Sequence, residues 1–295
     1  MTDVAHRGET SPSGLPVAGE PPTAPPVAGL SRPAVSRAAP RNRRTSLLLR
    51  FLVPVSIFGL WWLLTGTGVI PGTELPSPRA TWDAFTTLWT TQDLLGDIGI
   101  SVARAAVGLA IGAGIGLVLG VIVGLFSLGE ELIDSSMQMF RTIPFPAVIF
   151  LFIVWFGIGE TAKVGLIALA TLFPMYLNAS SGVRNVDRKV VEAARSFGLR
   201  GRRLIRQVVI PLAMPSILTG LRFSTGVSVI ALVFAETINA NKGIGYLVSQ
   251  ASSFNNVPDL VVGIIIYALL GIGADALVRL LERTLMPWRR QVAVR

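Results

Sequence analysis

The chain has 295 residues, of which 51% are hydrophobic and only 15% charged, and its mean hydropathy is +0.62. A soluble domain usually carries about 25% charge. The apolar residues here gather into runs of the roughly 18–25 residues needed to cross about 30 Å of hydrocarbon as a helix, so an all-α polytopic membrane protein is expected. With no cysteine and a single histidine, His6 in the N-terminal tail, there is no disulfide framework or thiolate site, and a histidine-based catalytic or zinc site has no residues to build it. No catalytic set, metal or cofactor is therefore expected.

Residues 1–46 are rich in Pro, Ala, Gly and Ser, lack periodicity and end in Arg41, Arg43 and Arg44. Such a segment cannot bury enough apolar surface to order itself and is expected to be a disordered cytoplasmic tail. The apolar run from Leu47 to Leu64 lacks a small-residue cleavage site, so it reads as an uncleaved first span rather than a signal peptide. Hydropathy then places six spans near 47–65, 101–126, 140–157, 163–179, 216–238 and 260–282. With the N-terminus inside, the cytoplasmic segments carry seven, one, eight and five Lys/Arg, against four outside (Arg79, Arg104, Lys163, Lys242). By the positive-inside rule both termini are cytoplasmic. The net charge of +9 is thus a topology signal and an attraction to anionic lipid, not a nucleic-acid surface.

Between the first two spans, LPSPRATWDAFTTLWTT offers Ser77 as a helix cap and Pro78 in the first turn. Trp82, Phe85 and Trp89 fall on one face, which suits a helix lying in the outer interface. In the second span Gly108, Gly112, Gly116, Gly120 and Gly124 form a four-residue repeat. Small residues in that register let helices approach closely in lipid. Because four residues overshoot a turn by about 40°, the row is expected to wind around its helix and serve more than one neighbour. Two carboxylates fall at membrane depth. Asp275 can pair with Arg279 one turn on. Glu236 is expected at the outer water boundary, with a proton-relay role as the alternative that intramembrane carboxylates always raise. Arg141 and Arg222 suit inner-face anchors or attractors for an anion.

The most charged segment, EAARSFGLRGRRLIRQVVIPLAMP, joins spans four and five. Asp187 can cap a helix from Arg188. Val190, Ala193, Ala194 and Phe197 line one face, and Gly198 supplies a left-handed stop. A second basic helix near 201–209 is expected to be broken by Pro211 and Pro215 before span five. The first helix, with small Ala193 and Ala194 at its centre, suits insertion into a groove of another protein as well as it suits lying on the inner leaflet.

Glu192-Ala193-Ala194, Gly198, Val208 and Ile210-Pro211 fit the pattern E-A-A-x3-G-x9-[IV]-x-[LI]-P. This resembles the EAA loop of the inner-membrane permeases of ABC importers, in their nitrate/sulfonate/taurine-type branch. The likeness continues through LPSPRATWDAF, Ser101, Arg104, Gly108, Arg141-Thr142-Ile143-Pro144, Trp155-Phe156-Gly157-Ile158-Gly159-Glu160, Lys163, Phe173-Pro174, Gly182-Val183-Arg184, Gly220-Leu221-Arg222, Glu236 and Gly243-Ile244-Gly245-Tyr246, about residues 50–290. Many members carry a second proline six residues beyond the one matching Pro144; Phe150 stands there, and Pro146 moves the expected helix break earlier.

The resemblance implies about six spans of the type I importer kind in a permease domain of residues 47–295, with a coupling loop at about 187–215. It implies a bacterial inner-membrane location and a pathway for a small anionic solute of the nitrate, sulfonate or taurine kind. Its implied partners are a second permease copy, a dimer of cytoplasmic ATP-binding subunits and an extracytoplasmic solute-binding protein. Glu192 would anchor the helix to the ATPase, Ala193 and Ala194 would make the close contact, Gly198 would turn the chain, and Pro211 would free span five from the loop. ATP hydrolysis falls to the partner, because no G-x-x-x-x-G-K-[ST] phosphate loop occurs here. An ion-coupled secondary transporter is disfavoured by the scarcity of midplane titratable residues. A membrane enzyme is disfavoured because no titratable cluster appears at one depth. The sequence does not name the residues that touch substrate.

Overall fold

The computed structural model describes residues 43–126, 129, 133–237 and 240–286. The expected tail up to residue 42, with His6, and the C-terminal arginines beyond 286 lie outside the described residues. Contacts divide the chain into Met1–Pro54 and Val55–Arg295. Of the first unit, residues 43–54 are described, and they form the opening half of helix α1 (Arg43–Gly66).

The second unit is helical throughout its ordered elements. After α1 come α2 (Pro78–Thr91), α3 (Leu94–Leu125), α4 (Ser135–Arg141), α5 (Phe145–Phe156), α6 (Glu160–Arg184), α7 (Arg188–Ser196), α8 (Gly201–Thr237), α9 (Ile244–Ser253) and α10 (Val257–Leu285). Among the described residues α3, α6, α8 and α10 are long and apolar enough to cross a membrane, and residues 52–66 and α5 are shorter apolar helices. These six match the expected spans in order. Their outward faces carry large apolar residues such as Ile111, Val118, Phe223, Ile230, Leu269 and Ile272, as helices solvated by lipid do.

The glycine row decides the centre of the unit. A Cβ on Gly108 would lie 2.6 Å from the Ile167 side chain, on Gly120 2.6 Å from the Tyr176 carbonyl, and on Gly124 2.7 Å from Val183. On Gly112 and Gly116 it would run into the main chain at Ala168 and Leu172. All five glycines therefore face α6 alone, correcting the expectation of several neighbours. A partner that winds with a four-residue row stays on it, because that period exceeds 3.6 residues per turn. The contacts advance together along both chains, so α3 and α6 run parallel. The segment 133–156 must return the chain between them. It does so as two short helices separated at Thr142–Pro144, with Pro146 in the first turn of α5, the early break that the sequence predicts.

On its other side α6 meets α8 antiparallel, again through small residues. Gly182 lies against Ser216, Gly220 against Asn178, and the Ser224 hydroxyl donates to the Thr171 carbonyl at 2.9 Å. One apolar core, with Leu166, Ile167, Leu232, Ile244 and Ile266, fills one end. A second, with Ala113, Met175, Ala179, Ala213 and Ile217, fills the end nearer α7.

α2 begins as expected: Ser77 Oγ accepts from the Ala80 N–H at 3.2 Å, with Pro78 in the first turn. Its Trp82, Phe85 and Trp89 rings stack along one face at centroid spacings of 5.5 and 5.8 Å, with both indoles exposed. Leu88, on another side of the helix, enters the first core.

Candidate functional site

The segment between α6 and α8 folds as the local signals require. The Asp187 carboxylate accepts from the Lys189 N–H at 2.9 Å and so caps α7. At the other end Gly198 takes φ +85°. Its N–H reaches the Arg195 carbonyl at 2.9 Å, and the Leu199 N–H reaches the Ala194 carbonyl at 3.1 Å. That pair of bonds closes a Schellman stop, which satisfies carbonyls the helix leaves open. No residue of α7 is buried. Its apolar face stands free of the subunit: Val190 is 43% exposed and Phe197 88% exposed, with Ala193 exposed and Ala194 half-buried between them. Glu192 is exposed beside this face and makes no ion pair among the described residues.

Beyond the stop the structure departs from expectation. Residues 201–237 form one continuous helix, so Pro211 and Pro215 do not break it. The helix widens into a π turn over Ile205–Val209, in which the Ile210 N–H donates to the Ile205 carbonyl five residues back. A proline lacks an N–H and crowds the preceding turn. An i→i+5 turn just ahead of Pro211 adds the slack that takes up the ring without ending the helix. The basic segment after Gly201 is thus the first stretch of α8 rather than a separate helix.

The opposite end of the same helix holds a cluster that the sequence scatters over five stretches. Glu236, fully buried, accepts from Arg104 Nη1 at 2.6 Å, from Ser101 Oγ at 2.7 Å, and from Tyr267 Oη and the Gly245 N–H at 3.0 Å. Arg104 also donates to the Lys242 carbonyl at 2.8 Å, and its Nε and Nη2 grip Glu160 at 2.6 and 2.5 Å. Lys163 Nζ reaches Glu160 at 3.2 Å. The Asp97 carboxylate accepts from the Gly243 N–H at 2.7 Å, and Ser101 Oγ accepts from the Ile244 N–H at 3.0 Å. Gly243 has φ +110°, and a Cβ there would sit 2.7 Å from both Arg104 and Glu236. Only glycine serves that position. Glu236 is therefore not at a water boundary; it is the buried counter-ion of Arg104.

Deeper in the spans, Asp275 pairs with Arg279 at 2.8 Å as its spacing predicts. It also accepts from Arg222 Nε at 2.7 Å, so Arg222 is engaged rather than offered to an anion. The Arg141 side chain lies outside the described residues. Neither cross-span pairing was legible, because a single sequence shows which residues share a helix face but not which faces meet.

The family described as "Binding-protein-dependent transport system inner membrane component" matches residues 112–287, which takes in the glycine row from Gly112, all of α7 and both ends of α8. The chain belongs to this family. As one of these inner-membrane transport components it has close curated relatives. SsuC of Escherichia coli (strain K12), a permease protein named for aliphatic sulfonates transport, is 48% identical over 238 residues, 81% of this chain and 90% of SsuC. TauC of the same strain, the permease protein of a taurine transport system, is 30% identical over 258 residues, 86% and 93% of the two chains. Among solved structures, an amino acid ABC transporter aligns with a TM-score of 0.57 at 20% identity, covering 68% of this chain and 97% of its own. The inward-facing MetNI methionine ABC transporter aligns at 0.52 and 20% identity, over 63% and 94%. The fold is thus the helical fold of these transporter subunits, set in the inner membrane as a multi-pass transport component.

Proposed function

We infer that the chain is the membrane-spanning permease of an ATP-driven importer for small organic sulfonates, with α7 as the part that receives force from a separate ATPase. The observation that carries this reading is the free apolar face of α7. Val190, Ala193, Ala194 and Phe197 are held on a short helix fixed at both ends by a cap and a Schellman stop, yet none of the four is buried. A helix so defined and so exposed suits a groove in a soluble partner, where Ala193 and Ala194 permit close approach and Glu192 offers a charge at the rim. The names of the relatives supply the solute class, since aliphatic sulfonates and taurine share one headgroup.

In this reading both termini and α7 are cytoplasmic, residues 1–46 form a tail ahead of the permease domain, and two permease copies share one pathway. A dimer of ATP-binding subunits takes one α7 from each copy, and an extracytoplasmic binding protein delivers the solute at the other face. ATP-driven closure of the ATPase dimer displaces α7. The displacement enters α8 directly through Leu199 and Arg200, because the helix is unbroken from Gly201 onward.

The test is uptake of ethanesulfonate into proteoliposomes holding the permease with its ATPase and binding protein. Uptake should require ATP on the ATPase side and stop when the ATPase is omitted. Ala194→Asp should insert normally but lose ATPase association, because it would bury an unpaired charge in the contact. ATP-independent uptake, or full coupling in the Ala194→Asp variant, would refute the reading and leave α7 as a leaflet anchor.

A further inference from the structure

Glu160 is out of balance with the cations that hold it. The Arg104 and Lys163 side chains are 6% and 8% exposed, whereas the Glu160 side chain is 61% exposed. On its far side Arg104 is fixed by Glu236, whose charge is already spent on Arg104, Ser101, Tyr267 and the Gly245 N–H. Glu236 is fully buried and cannot leave. Glu160 sits in the first turn of α6, preceded by Gly157 at φ +74° and by Gly159, around both of which there is open space. Of the two carboxylates paired with Arg104, it is Glu160 that is free to swing away. When it does, Glu236 is the one carboxylate left in an ion pair with Arg104 or Lys163 among the described residues, and one of these two buried cations goes unpaired. That charge is costly in a low-dielectric site unless another anion replaces the one lost.

The donors left behind have a definite geometry. Arg104 Nε, Arg104 Nη2 and Lys163 Nζ converge on the place of one carboxylate, and Glu160 Oε1 must accept from two of them. A carboxylate has two oxygens for these three donors; a sulfonate has three oxygens and the same single charge. Beside Lys163 lies a small hollow walled by Ile149, Ile153, Ile158, Leu166 and Ala235, about 10 Å³ in this closed arrangement. That volume holds at most one water. Its walls suit an alkyl stem once the first turn of α6 has moved.

We propose that Arg104 and Lys163 form an oxyanion site in the outer part of the spans, that Glu160 occupies it as an internal stand-in, and that an alkyl sulfonate displaces Glu160 on its way through. This rests on the sulfonate reading above and adds to it a named site. Glu160 then acts as a latch: it keeps the cations neutral between solutes and returns when the solute departs.

The experiment is calorimetric titration of ethanesulfonate into the purified permease–ATPase complex without binding protein. A tethered competitor acts at a local concentration of about millimolar or more, so removing its charge should tighten the free anion at least about tenfold. Glu160→Gln is expected to show that gain over the parent, and Lys163→Met added to it should abolish the gain. Glu160 is mostly exposed, so its variant should fold, and Met keeps the length of Lys163 against apolar walls. No tightening in Glu160→Gln, or an undiminished gain in the double variant, overturns the site. Equal tightening of chloride overturns the oxyanion assignment. Displacement of ethanesulfonate by a lower concentration of lysophosphatidylglycerol overturns the solute assignment in favour of a lipid headgroup. ATP-driven ethanesulfonate uptake by the parent is measured alongside. Uptake without tightening sinks the site alone, and tightening without uptake sinks the importer reading alone.

Discussion

Cutting the Arg104–Glu236 pair from one side tests whether the end of the helix bundle away from α7 is locked by charge. Glu236→Met keeps an apolar stem of similar length but leaves Arg104 Nη1, among the described residues, with the Lys242 carbonyl alone, and takes from the buried Gly245 N–H the acceptor it has here. Arg104 would still hold Glu160, but that one carboxylate would then have to serve both Arg104 and Lys163. Removing one partner of a buried pair costs about 3–5 kcal/mol. Arg104→Met should cost a similar amount, because it strands Glu236, which has no exposure at all. The double variant strands neither charge. Its cost should fall below the sum of the two by at least about 1 kcal/mol, inside the range of about 0.5–3 kcal/mol that coupled neighbours show. The assay is reversible unfolding of the purified chain in mixed micelles by titration with sodium dodecyl sulfate, read by circular dichroism. If the two losses add within about 0.5 kcal/mol, the residues are independent, and the charge-lock reasoning fails.

Other parts of the structure set three further outcomes. Single cysteines at Thr90 and Asn255 should react with an impermeant thiol reagent added outside cells and one at Ser196 should not; labelling at Ser196 would reverse the orientation. Gly116→Leu drives a side chain into the main chain at Leu172, with Met175 Cβ and the Tyr176 nitrogen only 3.1 Å from the new Cβ. Overpacking of this kind costs about 1–3 kcal/mol, so the melting temperature in detergent should fall; a parental value would mean α3 does not pack on α6 through this row. Gly198→Ala meets open space, and its penalty is backbone strain alone at φ +85°, about 1 kcal/mol or more for a left-handed residue with a Cβ. ATPase pull-down should weaken about fivefold or more, and unchanged retention would show that the Schellman stop does not orient α7.

The parts of this chain legible beforehand are those written in local chemistry. Ser77 and Asp187 announce helix starts because an N-cap needs only a short side chain and the next turn. Gly198 announces a stop because the left-handed region excludes most residues with a Cβ. The glycine row was visible as a seam, but its single partner was not, since period alone says how a face winds and not which neighbour winds with it. Pro211 and Pro215 misled for a related reason. A proline removes one donor with certainty, whereas no residue type in Ile205–Val209 announces the π turn that absorbs the loss. Glu236 was harder still. Arg104 lies 132 residues away, and a carboxylate near the end of an apolar run looks the same whether it meets water or a guanidinium. The Asp275 pairing shows both sides of this: Arg279, one turn away, was foreseeable, and Arg222, 53 residues away, was not.

The contacts along α8 also decide which parts of the subunit can move separately. Its 37 residues span about 55 Å at 1.5 Å per residue. Near Gly201 it takes up the chain directly from α7. At its middle Ser216, Gly220 and Ser224 bind it to α6, and at its far end Glu236 ties it to α3 through Arg104. α3 and α6 are themselves closed on each other by the glycine seam, which runs from Gly108 to Gly124 with main chain against main chain. Sliding any one of these three helices past the others would part backbone contacts with no side chains to bridge the gap, or strand a buried charge. Rotation as one body does neither. The α4–α5 return is held differently. It is broken at Thr142–Pro144, and Phe150, Val154 and Trp155 of α5 are exposed. The anchors of α5 to the body are aromatic and aliphatic: Phe152 against Gly165, Phe145 against Phe234 and Ile149 in the first core, whereas the start of α4 is tied to α6 by the hydrogen bond that Tyr176 Oη donates to Asp134 at 2.8 Å. Aromatic contacts of that kind re-form after a shift at a cost of about 0.5–1.5 kcal/mol for each pair lost, well below the cost of a stranded charge. On the importer reading proposed above, a displacement entering through α7 would be carried by α3, α6 and α8 together, and the relative motion would fall between that body and α5. Glu160 and the turn at Gly157–Gly159 lie at the boundary between the two, where an internal anion would have to be released.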